Sequence, residues 1–82
     1  MDQIASMRIF MAVAETGALN GAARQMEISP SAVSKHITAL ENKLGVQLLN
    51  RTTRQVALTE VGASYLQSCR LIISELDKAN SE

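Results

Sequence analysis

Residues 29–41 read SPSAVSKHITALE, and the spacing of their apolar side chains settles what kind of element they form. Val33, Ile37 and Leu40, continued by Leu44, recur at intervals of four, three and four. That is one face of a 3.6-residue period and not the alternation of a strand. The spacing predicts a helix over residues 30–44. Ser29 offers an oxygen to an orphan N–H of the first turn, and Pro30 gives up a donor that had no partner at the first helical position. Gly45, just past Leu44, is the matching stop.

The other face of this helix poses the functional question. At about 100° per residue, Ser31, Ser34, Lys35, Thr38 and Asn42 lie opposite the apolar stripe, and no acidic residue falls among them. Short hydroxyls and one lysine on the opening turns make a face that can approach another surface closely and present donors to it.

Working back toward the N-terminus, Asn20 is a good N-cap for a short helix through Gly21, Ala22, Ala23 and Met26. Its alanines let a neighbouring helix approach. Only Glu27, Ile28 and Ser29 then separate it from the helix over 30–44, and a turn of three to four residues between helices is the helix-turn-helix arrangement. Ile28 is expected to plug the angle between the two. Before them, Ile4, Met7, Phe10, Met11 and Ala14 form a first amphipathic helix, capped by Asp2 and stopped by Gly17.

Beyond Gly45 the period changes. VQLLN (46–50) and QVALT (55–59) are rich in valine, leucine and threonine, with RTTR between them, and they read as a short hairpin. Thr59 caps a last helix whose stripe is Tyr65, Leu66, Cys69, Ile72, Ile73, Leu76 and Ala79. From residue 60 to 79 that helix is about 30 Å long, as long as a small domain is wide. The expectation is that three short helices cannot cover its far half.

The chain has 82 residues, one small domain. Near this size a single core supplies only about 3–5 kcal/mol, so support from a partner chain is expected. No apolar run is long enough to span a membrane, and no basic leader precedes an apolar core, so the expectation is a soluble cytoplasmic protein. One cysteine excludes an internal disulfide and a cysteine-rich zinc site. Net charge is zero, which taken whole argues against a nucleic-acid binder. Its distribution argues the other way: residues 24–54 hold Arg24, Lys35, Lys43, Arg51 and Arg54 against Glu27 and Glu41, a net of +3, and the remainder holds −3.

In a helix-turn-helix the second helix lies in the major groove of DNA, with its N-terminal residues at the base edges, while the first crosses the backbone. Ser31, Ser34 and Lys35 are then placed to read bases. The helix N-termini at Asn20 and Ser29 offer N–H groups to phosphates, and Arg51 and Arg54 flank the groove as a basic wing.

The run from Phe10 through AVAETGALNGAARQMEISPSAVSKHITALENKLGVQLLNRTTRQVALTEVG closely resembles the N-terminal domain of LysR-type transcriptional regulators. The marks are Phe10, Ala22-Ala23, the frame of Ser29 and Ser34, Leu40-Glu41, Leu44-Gly45, Arg51, Leu58-Thr59 and Gly62. The resemblance implies a mainly α fold, in which a winged helix-turn-helix of three helices and a short β-hairpin (residues 1–58) is followed by a long linker helix that dimerises (59–82). It also implies that complete members carry a larger C-terminal domain binding a small-molecule effector, which is absent from this chain; no cofactor is expected within these residues. Where many members have Gln-Pro this chain has Pro30-Ser31, and Lys35 stands where arginine is common, so the base sequence read is its own.

The resulting expectations are concrete. Double-stranded DNA carrying an interrupted inverted repeat is the partner, with residues 30–44 in the major groove and the wing 50–55 on the flanking backbone or minor groove. The DNA-contacting set is Asn20, Ser29, Pro30, Ser31, Ser34, Lys35, Thr38, Arg51, Thr53 and Arg54. The dimer forms through Tyr65, Leu66, Cys69, Ile72, Ile73 and Leu76. Each has a plainer reading. His36, off the stripe and without a second ligand at metal spacing, is expected on a solvated flank, with phosphate contact as the alternative. Cys69 is a packing residue, and Arg51 either touches DNA or holds the wing to the bundle. A competing function is a small helical dimeric interaction module without DNA specificity, favoured by the zero net charge. An enzyme has one His, one Cys, no phosphate loop and no paired carboxylates behind it, and is not expected.

Overall fold

Asp2 opens the first helix: its carboxylate accepts the Ile4 N–H at 3.2 Å, and α1 runs over Gln3–Thr16. The computed structural model describes residues 2–51 and 56–81. Helix α1 ends at Gly17, whose φ of 78° turns the chain back while its N–H closes on the Val13 carbonyl at 2.8 Å. Helices α2 (Leu19–Met26) and α3 (Pro30–Leu44) follow, then strands β1 (Leu49–Arg51) and β2 (Val56–Leu58), and α4 (Glu60–Ser81). The strands pair antiparallel, Leu49 with Leu58 and Arg51 with Val56.

The core is the meeting of the apolar stripes. Phe10 and Val13 of α1, Ala22 and Ala23 of α2, and Val33, Ile37 and Leu40 of α3 are all buried. Ala22 and Ala23 leave room for the neighbouring helices, as their size requires, and Ile28 packs half-buried in the angle of the turn. Helix α3 is capped as its sequence demands: Ser29 Oγ accepts the Ala32 N–H at 3.1 Å, and Gly45 adopts φ 71°. The turn before it has one unusual residue, Glu27, a left-handed C-cap at φ 58° where glycine would be unstrained.

Two expectations need correction. Helix α2 does not start at Asn20. It starts at Leu19 with Ala18 as N-cap, and no side chain among the described residues caps it. The Thr16 hydroxyl reaches both the Ala12 and Ala18 carbonyls, which pins the Ala18 peptide and pulls half-buried Leu19 into the first turn. Asn20 therefore stands one residue inside the helix, exposed.

The second concerns α4. Most of its stripe is covered within this same chain: Leu66, Cys69 and Ile73 are buried, and Tyr65 and Leu76 pack half-buried against the core, while Ile72 and Ala79 in the far half stay exposed. Helix α1 lies along α4, and the far end is tied by Arg8 to Asp77 at 2.7 Å. The ring of Tyr65 sits 5.9 Å from that of Phe10. What α4 leaves exposed overlaps the expected stripe only at Ile72 among its large apolar residues, and adds Val61 and Leu71.

The start of α4 hangs on the segment before the wing. Thr59 Oγ1 accepts the Gly62 N–H at 2.9 Å and donates to the Gln47 carbonyl at 2.7 Å. The Thr59 N–H donates to the Leu48 carbonyl at 3.0 Å. Buried Gly62 lies against that carbonyl so closely that any Cβ there would overlap the Leu48 oxygen.

Candidate nucleic-acid interface

Helix α3 presents one side to the core and the other to solvent because its apolar period leaves the second face polar. Ser31, Lys35, Thr38 and Asn42 are exposed on that face, and Ser34 is half-buried. Together with Ala39 they line an open depression along the helix. Ser29 Oγ and Ser31 Oγ lie 3.2 Å apart at its N-terminal end. Lys35 pairs with no acidic side chain among the described residues. Among the described residues the arrangement is a row of short donors and acceptors with an unpaired cation, Lys35, reachable by a groove edge.

Arg51, at the end of β1, belongs to the same surface. Its Nη1 approaches Ser34 Oγ at 3.5 Å, and its Nη2 stands 3.7 Å from Glu41 Oε1. The wing is thus held to the helix, while both contacts are long and the guanidinium remains partly exposed. Glu41 is no part of the expected DNA-contacting set, yet its other oxygen accepts the N–H groups of Leu48 at 2.8 Å and Leu49 at 3.2 Å. Thr53 and Arg54 lie outside the described residues.

At the N-terminus of α2, the displacement of Asn20 from the cap leaves the first-turn N–H groups without a side-chain partner among the described residues. Pro30 is exposed at the start of α3. His36 is not on a solvated flank: its Nδ1 lies 2.8 Å from the Oγ of Ser6, a buried serine on α1. The pair bridges α3 to α1 and satisfies a hydroxyl that the core would otherwise strand. Nothing local in the sequence signals it, since the partners are 30 positions apart.

On α4, burial pushes the Cys69 thiol above its ordinary pKa and does the same to the Tyr65 hydroxyl. The hydroxyl of Tyr65 is buried without a hydrogen-bond partner among the described residues, beside the side chains of Gln3 and Cys69. A buried, protonated thiol packs and does not react. The hydrogen bond from Arg8 lowers the pKa of Asp77. Among the described residues, no group of three or more His, Cys, Asp or Glu is arranged to hold a metal, and no helix is long and apolar enough to cross a membrane.

Two helices joined by a three-residue turn, the second with a free polar face and a β-hairpin at its side, define a winged helix-turn-helix domain. Residues 4–63 match the model of the bacterial regulatory helix-turn-helix proteins of the lysR family, and the chain belongs to that family. It is 46% identical over 76 residues to the HTH-type transcriptional regulator CrgA of Neisseria meningitidis, covering 93% of this chain and 25% of CrgA. It is 39% identical to the HTH-type transcriptional activator AaeR of Escherichia coli K12, over all of this chain and 26% of AaeR. The crystal structure of the CbnR_DBD–DNA complex superposes with a TM-score of 0.93 at 32% identity, covering 99% of this chain and 92% of that one. The chain spans about a quarter of the length of the curated relatives it matches. The fold class expected from the sequence, a mainly helical winged helix-turn-helix with a long last helix, is the fold found.

Proposed function

We propose that this chain binds double-stranded DNA by sequence, as the reading part of a transcriptional regulator, with α3 in the major groove. The observation that carries the proposal is the free face of α3. Ser31, Lys35, Thr38 and Asn42 are exposed on it with Ser34 half-buried among them, it bears no acidic residue, and Arg51 stands at its edge. Serine and lysine on the first turns match base-edge acceptors, and the uncapped N–H groups of α2 suit a phosphate. Arg54 and Thr53 would extend the same surface along the flanking backbone or minor groove. A relative of this fold is known in a structure described as a DNA complex, which supports the reading. The chain itself performs no reaction in it. The cytoplasm is its compartment, and an effector would act on residues beyond α4.

The dimer belongs to the same reading, through a narrower surface than the sequence suggested. At about 100° per residue, Val61 and Ile72 point within about 20° of each other, roughly a quarter turn from the buried line of Leu66, Cys69 and Ile73. Val61 is 49% and Ile72 47% exposed. Tyr65 and Leu76, half-buried, fall between the two lines. A second copy related by a two-fold axis covers this side on both chains at once, and sets two α3 helices on one side of a duplex, so the target is an interrupted inverted repeat.

Selecting duplexes from a random pool and titrating salt tests the proposal. A recovered inverted repeat, with log affinity falling by about 0.9 per phosphate contact per decade of salt, is expected. Absence of binding to both selected and random duplex refutes it, and leaves the helical interaction module as the better account.

A further inference from the structure

We infer that Glu41 is a positioning residue for DNA reading, one that holds Arg51 at the edge of the recognition face; the inference rests on the DNA-binding reading above. Glu41 stands on α3, its side chain only 16% exposed, and its two oxygens do different things. Oε2 accepts the Leu48 and Leu49 N–H groups at 2.8 and 3.2 Å, fastening the segment that leads into the wing onto the recognition helix. Oε1 faces Arg51 Nη2 at 3.7 Å, while Arg51 Nη1 approaches Ser34 Oγ, two helical turns nearer the N-terminus, at 3.5 Å.

An arginine at a strand end has four rotatable bonds to order before it can contact anything in a fixed geometry, and that ordering costs affinity. The carboxylate and the Ser34 hydroxyl impose the geometry in the free protein. They engage two of the five guanidinium N–H groups at most, so donors remain for a phosphate or base-edge oxygen beside Ser34. Both contacts are long enough for an incoming oxygen to replace either. The same carboxylate cancels part of the Arg51 charge at a distance, which weakens attraction to DNA of any sequence. Glu41 thus exchanges general attraction for placement.

Glu41→Gln separates these roles. Its single carbonyl oxygen can still accept the Leu48 and Leu49 N–H groups, but an NH₂ donor then faces Arg51 where an acceptor stood. The measurement uses this 82-residue chain, unsubstituted and as Glu41→Gln, Arg51→Ala and the double variant. Each is titrated by fluorescence anisotropy against a duplex that the unsubstituted chain selects from a random pool, and against random duplex. Glu41→Gln is expected to bind random duplex about three-fold more tightly, as one added unit of positive charge does at moderate salt. Its preference for the selected duplex should fall about ten-fold, the scale of one charge-assisted hydrogen bond. With Arg51 already alanine, Glu41→Gln should change that preference by less than about two-fold, since its effect runs through the guanidinium. A ten-fold loss in the absence of Arg51, an unchanged preference in Glu41→Gln, or unfolding of that variant overturns the inference. Failure of the unsubstituted chain to select any sequence is a separate result, read before any variant is made, and refutes the DNA-binding reading itself.

Discussion

Gly62→Ala sets two physical effects of opposite sign against each other. Alanine is the better helix former, and at a helical position the exchange gains up to about 1 kcal/mol. The geometry opposes it: the added methyl would overlap the Leu48 carbonyl oxygen and stand 2.9 Å from the carbonyl carbon and 3.2 Å from Leu48 Cα. These are backbone atoms, and neither side can move aside cheaply. The Leu48 N–H is held by Glu41 and its carbonyl by the Thr59 N–H, while α4 is held by the burial of Leu66 and Cys69. Overpacking of this kind costs about 1–3 kcal/mol and occasionally more, and lifting α4 off its seat endangers the Thr59–Leu48 hydrogen bond, worth about 1 kcal/mol. The net expectation is a loss of about 2 kcal/mol, and for a domain of this size about 10 °C in melting temperature. Urea and thermal unfolding followed by circular dichroism, at one fixed protein concentration because association adds stability, measure it. Ser64→Ala, at an exposed position of the same helix, is the control and should melt at or slightly above the unsubstituted chain. A Gly62→Ala variant that melts as high as that control refutes the argument, because helix propensity would then have outweighed the contact.

Lys35→Ala should lose about 1–3 kcal/mol on a selected duplex and relax preference at one position per half-site, whereas Arg54→Ala should weaken selected and random duplex alike, as a phosphate contact does; equal losses on both DNAs for Lys35→Ala would show that it reads no base. Ile72→Asp should leave the circular dichroism and melting of the fold nearly unchanged while sedimentation shows monomers, and Ile73→Asp, which buries a charge inside the chain, should unfold it; a normally folded Ile73→Asp would reverse the two assignments. Cys69 should react with a thiol-specific disulfide at native pH only as fast as the fold opens, and immediately in urea, so prompt modification of the native chain would contradict its burial. Its pKa is raised from an ordinary 9.0, so the folded chain keeps a proton that the unfolded chain surrenders as pH climbs past that value. Stability is then fully present below about pH 9 and declines above it, and in Cys69→Ser the decline in urea midpoint between pH 8 and 10 should be shallower.

The parts of this molecule that were legible in the sequence are those whose cause is local. The bounds of α3 follow from Ser29, Pro30 and Gly45 acting within one turn of where they stand, and the stripes of α1 and α3 follow from a fixed period. Asn20 is a reasonable cap by propensity, but the Thr16 hydroxyl reaches the Ala18 carbonyl, and the cap falls there, two residues earlier. On α4 the period identified apolar positions without saying which would be covered; Leu66, Cys69 and Ile73 are buried within the chain, and Val61, Leu71 and Ile72 are left exposed. Ser6 with His36 and Glu41 with Leu48 and Leu49 join segments that approach only after folding. A serine in an apolar helix and a glutamate near a helix end carry no mark of such partners in a single sequence.

The Leu48 peptide has a mechanical consequence. Its N–H is fastened to α3, its carbonyl to Thr59 just before α4, and Gly62 rests on it, so it acts as the fulcrum of a helix about 33 Å long. A swing of about 3 Å at the far end of such an arm is a rotation of about 5° at the fulcrum, and here the Arg8–Asp77 tie and the α1 contact oppose even that. The domain behaves as a bent bar with a fixed elbow. Were two such bars joined along α4, the distance between their α3 helices would be adjusted at the seam between chains and not by flexing within either one, so operators with altered half-site spacing should select substitutions near Val61 and Ile72 before any near the elbow.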